Sequence, residues 1–320
     1  MLETVRNAFK LKEIRSRIIY TLLMLVVVRI GTQLPIPGVN GSYFSEWFSG
    51  NSGSAFGFFD AITGGSFEKM SVFALNITPY ITSSIIIQLL TIAIPKLEEL
   101  QKDGEEGRKK MTAITRYLTV ALALMESLAM AIGFGRSGLL IKFNALNVIT
   151  AVVTLTAGST VIMWIGERIT ENGVGNGISI VLTINIISRI PQDLTLLFEQ
   201  FVKGKEIAFQ VLNLAIIIAI IIIVTVLTVA LQGAERRIPV QYSRKVQGRK
   251  QVGGQTSHIP LKVNTAGVIP IIFAQSLFMF PLIIMQLLGK SGGNGIGGTI
   301  LKMLNQSNWC DFNEPIYSIG

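Results

Sequence analysis

Cysteine and histidine are nearly absent, with Cys310 and His258 the single instances of each. One cysteine excludes an intrachain disulfide framework and any cysteine-built metal cluster, and one histidine leaves little for metal binding or acid–base catalysis. Charge is scarce as well. Asp, Glu, Lys and Arg make up 15% of the residues, against about 25% in a soluble domain, while 50% are hydrophobic. Acidic residues number 19 against 28 Lys and Arg. Phosphate-binding motifs are missing too: Gly173-Val174-Gly175 meets Ile178 where a third glycine belongs, and Gly289-Lys290-Ser291 meets Ile284 where a P-loop glycine belongs. No nucleophile–base pair stands out, so enzyme chemistry is disfavoured.

What the chain has in abundance is long apolar runs. About 20 apolar residues in a helix cross a hydrocarbon core roughly 30 Å thick. Seven such spans are expected, at 18–35, 72–95, 112–134, 146–166, 177–190, 209–231 and 264–288. The fold class is therefore an all-α integral membrane bundle. The fifth span is short, and the second and seventh are interrupted by proline. The charged stretch Met1–Arg17 leads straight into the first span without a small-residue cleavage site, so that span is expected to stay.

Basic residues cluster before the first span, between the second and third, and between the sixth and seventh. If the spans alternate, all three clusters share one side, and the positive-inside rule makes it the cytoplasm. The chain would then end outside, at Gly320, with further spans expected beyond it.

Four features are candidates for function. The interrupted spans SVFALNITPYITSSIIIQLL (71–90) and VNTAGVIPIIFAQSLFMFP (263–281) lie in the two halves of the chain. Paired breaks of this kind point to a polar pathway, because lipid cannot replace the hydrogen bond that proline removes. Loop 232–262 sets one carboxylate, Glu235, against Arg236, Arg237, Arg244, Lys245, Arg249, Lys250 and Lys262. It reads either as a topology signal facing anionic lipid or as a hairpin docking an acidic or nucleic-acid partner. Gly173, Gly175 and Gly177 are expected to shape a tight reversal between two spans. The run 56–63, followed by Gly64-Gly65, is too short to cross a membrane and reads as a flat interfacial helix or as a re-entrant element closing a cavity. Among polar residues inside spans, Arg29 can snorkel to the interface, Glu126 needs a cavity or a partner, and Asn185, Asn264 and Gln275 suit interhelical hydrogen bonds.

RIGTQLPIPGV (29–39), VFALNITPYITSSIIIQLL (72–90), MWIGERITENGVGNGISI (163–180) and HIPLKVNTAGVIPIIFA (258–274) resemble, in order, motifs of the SecY family of protein-conducting channel subunits. Asn76 departs from the family's usual glycine. The resemblance covers the first seven of ten spans and implies two five-helix halves related as an inverted repeat, here 1–190 and an incomplete 191–320. It implies a pore ring of Ile77, Ile81, Leu182 and Ile272, with a plug over 56–65 whose face holds Phe58, Phe59 and Ile62 and whose hinge is Gly64 and Gly65. Thr82, Glu126 and Asn264 would be polar positions of a lateral gate that releases membrane segments into lipid. Arg249 and Lys250, within the basic loop, would meet the ribosome or the SecA motor. Implied partners are SecE, SecG, SecA, the ribosome, signal peptides and membrane lipids, in a bacterial plasma membrane, with no cofactor. Without the resemblance, paired breaks alone leave a secondary transporter with a broken-helix substrate site as the alternative.

Overall fold

The structure is a computed structural model that describes residues 10–50, 60–135, 138–203, 207–240, 245–247, 250–252, 257–265, 267 and 274. The described part divides into a unit reaching to Ile190 and a second, Pro191–Ile272.

In the first unit, α1 (Lys12–Gly31) is followed by a short helix, α2 (Gly41–Gly50). The sequence expectations did not include α2. Its signal is Asn40, whose Oδ1 accepts hydrogen bonds from the Ser42 hydroxyl (2.7 Å) and the Tyr43 N–H (3.4 Å), as an N-cap does. Phe44 then anchors the helix, its ring edge-on to Phe67 and Phe134 at 5.3 Å each.

The second expected span is two helices, α3 (Thr78–Ala93) and α4 (Pro95–Lys102), bent by 105°. Helix α3 begins at Thr78 rather than 72, with Pro79 in its first turn. There proline costs no hydrogen bond, because the first N–H groups of a helix have no intrahelical partner. The interruption therefore lies upstream, in the turns 72–77. The next helices are α5 (Gly104–Gly133), α6 (Ala145–Asn172) and α7 (Gly177–Phe201). Helix α7 continues through Pro191, eleven residues beyond the expected end of the fifth span.

Helices α5, α6 and α7, together with Phe209–Gly233 of α8 (Ile207–Gly233), are long and apolar enough to cross a membrane, and the bent pair adds a fifth as a broken span. Helix α1 carries Glu13, Arg15, Arg17 and Arg29 among its 20 residues and is not among these. The expected seventh span lies outside the described residues, apart from Asn264, Thr265, Gly267 and Ala274. Threonines within spans satisfy their hydroxyls on the preceding turn, as Thr119 does on the Thr115 carbonyl (2.7 Å) and Thr225 on that of Ile221 (2.7 Å).

The second unit holds α8 and two hairpins. Strand β1 (Glu235–Val240) pairs antiparallel with β4 (Ser257–Lys262), with Glu235 opposite Lys262 and Ile238 opposite Ile259. Nested in sequence between them, β2 (Lys245–Gln247) pairs with β3 (Lys250–Val252) around Gly248-Arg249, as the RKVQGRKQVGG pattern predicts.

Candidate functional site

The interrupted stretch is buried. Ser71, Ala74 and Ile77 are fully enclosed, and Asn76 is 1% exposed. A backbone without helix must find other partners in a membrane. Here local turns supply them, from Ala74 N–H to Ser71 O (2.9 Å) and from Asn76 N–H to Phe73 O (2.9 Å). Val72 N–H reaches Leu34 O (2.9 Å), and the Ser66 hydroxyl donates to Phe73 O (3.1 Å). Asn76 takes φ +52°, a left-handed conformation in which asparagine is the best-tolerated residue after glycine. The turn therefore accommodates an asparagine here at little strain. Gly158 on α6 lies against the Val72 carbonyl, where a side chain would collide.

Three of the expected ring residues gather around this break. Ile77 belongs to a buried apolar cluster with Val28, Phe73, Ile162, Ile165 and Val181, and the half-buried Ile81 and Leu182 pack against it. Ile272 lies outside the described residues. The glycines that position Leu182 divide the work differently from expectation. Only Gly175 uses positive φ, at +70°, whereas a side chain on Gly177 would collide with the Gly166 carbonyl. Gly177 is thus needed for close approach of α6 and α7, with its N–H on the Thr170 hydroxyl (2.9 Å). Gly173 serves α1 instead, since its carbonyl accepts from Arg17 (3.3 Å) and the next N–H donates to the Thr21 hydroxyl (3.2 Å).

Of the expected plug, Phe58 and Phe59 lie outside the described residues, while 60–63 form a helical turn followed by Gly64 and Gly65. The described residues 60–65 are largely enclosed. Asp60 and Thr63 are fully enclosed and Ile62 is half-buried. Asp60 forms an ion pair with Arg189 of α7 and accepts a hydrogen bond from Glu68 N–H (2.8 Å). The Asn76 side chain donates to Ile62 O (3.5 Å). Gly64, at φ +71°, presses on the backbone of Asn185, so that a Cβ there would stand 2.7 Å from the Asn185 carbonyl oxygen. Sequence reading singled out neither Asp60 nor Arg189, because the partners are far apart in the chain and neither sits in a recognisable motif.

Thr82 donates to Thr78 O (3.1 Å), and Glu126 is half-buried on α5, next to Ser127, which is hydrogen-bonded to Thr156 of α6 (2.9 Å). Asn264, in the second unit, is exposed and accepts from Gly267 N–H (3.0 Å). Arg29 lines an apolar groove with Leu22, Leu25, Val26 and Ile184, rather than extending free of the protein surface. On the basic loop, Arg236 and Arg237 are exposed, whereas Arg244 and Arg249 lie outside the described residues. Lys245 and Lys250 take part in β2 and β3.

The SecY family model matches residues 71–319. A protein translocase subunit SecY from Streptomyces scabiei is 42% identical over 92% of this chain and 69% of its own length. The chain belongs to the SecY family. It spans about two thirds of that relative. Two solved structures have the same fold, each 19% identical and covering 95% of this chain and 68% of theirs. One is Sec61 in the canine ribosome–channel complex from the endoplasmic reticulum, with TM-score 0.59. The other, with TM-score 0.60, concerns a SecY plug domain that stabilises the closed state of the translocation channel and maintains a membrane seal. The fold is thus that of SecY and Sec61 channels, and the secondary-transporter reading finds no support in these likenesses.

Proposed function

We propose that this chain is the pore-forming subunit of a protein translocase, a passive conduit that passes unfolded polypeptides across the membrane and releases membrane segments sideways into lipid. The observation that carries the reading is the gathering of Ile77, Ile81 and Leu182 in one apolar cluster at a buried break in a span, in a chain of the SecY family. An aliphatic constriction suits this task, because it excludes water when closed and offers a passing chain no preferred hydrogen bond. Ile272 completes the ring, and 56–65 is the plug. Thr82, Glu126 and Asn264 belong to the lateral gate. The halves are 1–190 and 191–320.

Partners in this reading are SecE and SecG in the membrane, with SecA or the ribosome as the source of directed movement. The basic hairpins supply their docking surface, since Arg236, Arg237, Arg244, Lys245, Arg249 and Lys250 can neutralise phosphates or carboxylates. In this reading the chain sits in a bacterial plasma membrane with its N-terminus in the cytoplasm, an orientation that the three basic clusters support.

The test uses the full-length parent chain with Cys310→Ser and a lone cysteine at Ile81→Cys, assembled with its partners and loaded with a stalled secretory chain bearing one cysteine. A disulfide crosslink that requires the signal sequence is expected. Its absence, while small-solute uptake remains intact, would refute the channel and restore the transporter.

A further inference from the structure

We propose that Asp60 and Arg189 form an electrostatic latch that holds the plug in its seat and sets how readily the channel opens. The inference rests on the plug reading above and deepens it. Besides the nearby hydrogen bonds of Glu68 N–H to Asp60 and of the Ser66 hydroxyl to Thr63 O, three contacts among the described residues tie the segment 60–65 to more distant parts of the chain. Two are neutral, the Asn76 hydrogen bond to Ile62 O and the van der Waals seat of Gly64 on Asn185. The third is the ion pair between Asp60 and Arg189, and it alone joins opposite charges.

Burial gives this pair its leverage. The Asp60 side chain has no exposure and that of Arg189 has 12%. A carboxylate in such a place is retained only with a counter-charge and hydrogen bonds, which Arg189 and the Glu68 N–H provide. Removing Arg189 leaves the Asp60 carboxylate fully enclosed without its counter-charge, a state that undocking the segment into water relieves, and removing Asp60 takes from the segment its ionic tie to α7. The imbalance therefore falls on the seated state.

The location is equally specific. Arg189 lies on α7 two turns beyond Leu182, on the helix that also carries Asn185 against Gly64. Gly65, at φ +78° with nothing within 4 Å of a would-be Cβ, follows as an uncrowded pivot. A movement of α7 that widens the aliphatic cluster at Leu182 necessarily displaces Arg189 as well. Ring opening and plug release are thereby tied to one helix.

The experiment reconstitutes the full-length parent chain with its partner subunits into vesicles. It measures ion leak and the export of a substrate with a defective signal sequence. Variants are Asp60→Asn, Arg189→Gln, their double, the swap Asp60→Arg with Arg189→Asp, and deletion of 56–65. Each single variant should raise leak at least about tenfold, the factor given by roughly 1.4 kcal/mol in the closed-to-open balance. Each should also admit the defective substrate. The double should be no worse than either single, and the swap should move leak back toward wild type.

Additive singles, or a swap no better than they are, would overturn the latch. A leaky deletion beside tight single variants would overturn the latch while leaving the plug. A tight deletion would remove the plug itself. Singles that fail to assemble, judged by gel filtration, would give the pair a folding role and refute the gating one.

Discussion

Gly64 and Gly65 are adjacent, both left-handed and both replaceable by alanine, yet the structure predicts different consequences. At Gly65 (φ +78°) a methyl meets nothing within 4 Å, so Gly65→Ala incurs only conformational strain of about 1–2 kcal/mol. At Gly64 (φ +71°) the same strain is joined by a contact 2.7 Å from the Asn185 carbonyl oxygen and 3.0 Å from its Cα. Both atoms are backbone of a long helix and cannot rotate away, and overpacking of this kind costs about 1–3 kcal/mol. If 60–65 seals the pore, that excess falls on the seated state, and Gly64→Ala should open the channel about 5- to 150-fold more often than Gly65→Ala. The assay is single-channel recording of the reconstituted full-length complex, with thermal unfolding of both variants as a control on folding. Equal open probabilities in the two variants would refute the seat of Gly64 on Asn185.

Reversing charge at Arg236 and Arg237 should weaken docking of a ribosome or motor and lower the salt slope of binding by about one per residue, read from affinity titrations at several ionic strengths. Unchanged affinity would leave the loop as a topology signal alone. Gly177→Ala should lower the unfolding temperature of the complex far more than Gly175→Ala, because the first collides with the Gly166 carbonyl and the second meets only the Ile180 side chain at 3.7 Å. The Arg116–Glu167 pair (2.8 Å) joins α5 to α6, but Arg116 is 48% exposed. Arg116→Met should therefore cost less than about 1 kcal/mol by denaturant unfolding. A cost several times larger would mean that the pair is effectively buried.

Much of the architecture was legible in sequence because the membrane makes composition decisive. Runs such as that of α8 read as membrane-spanning from composition alone, with no tertiary contact needed. The β2–β3 hairpin was readable for a local reason, since cations flank a glycine turn within a few residues. Helix limits were less accessible. Proline at the start of α3 reads as a break, but whether it interrupts a helix or opens one depends on where the preceding turns find hydrogen bonds, and those come from Leu34 and Ser66.

The sequence by itself determined that the chain is a membrane bundle, that its second span is interrupted near its start, and that its family motifs stand in order. Periodicity, hydropathy and motif are properties of neighbouring residues. Only the tertiary structure decided what occupies the break: the burial of 60–65, its ion pair from Asp60 to Arg189, the close approach of Gly177 to Gly166, and the cluster that unites Ile77 with Leu182. The ion pair and the cluster join residues separated by two helices or more, and the two glycines meet across an interhelical turn. Their energies depend on whether water is excluded between them, which no stretch of sequence contains.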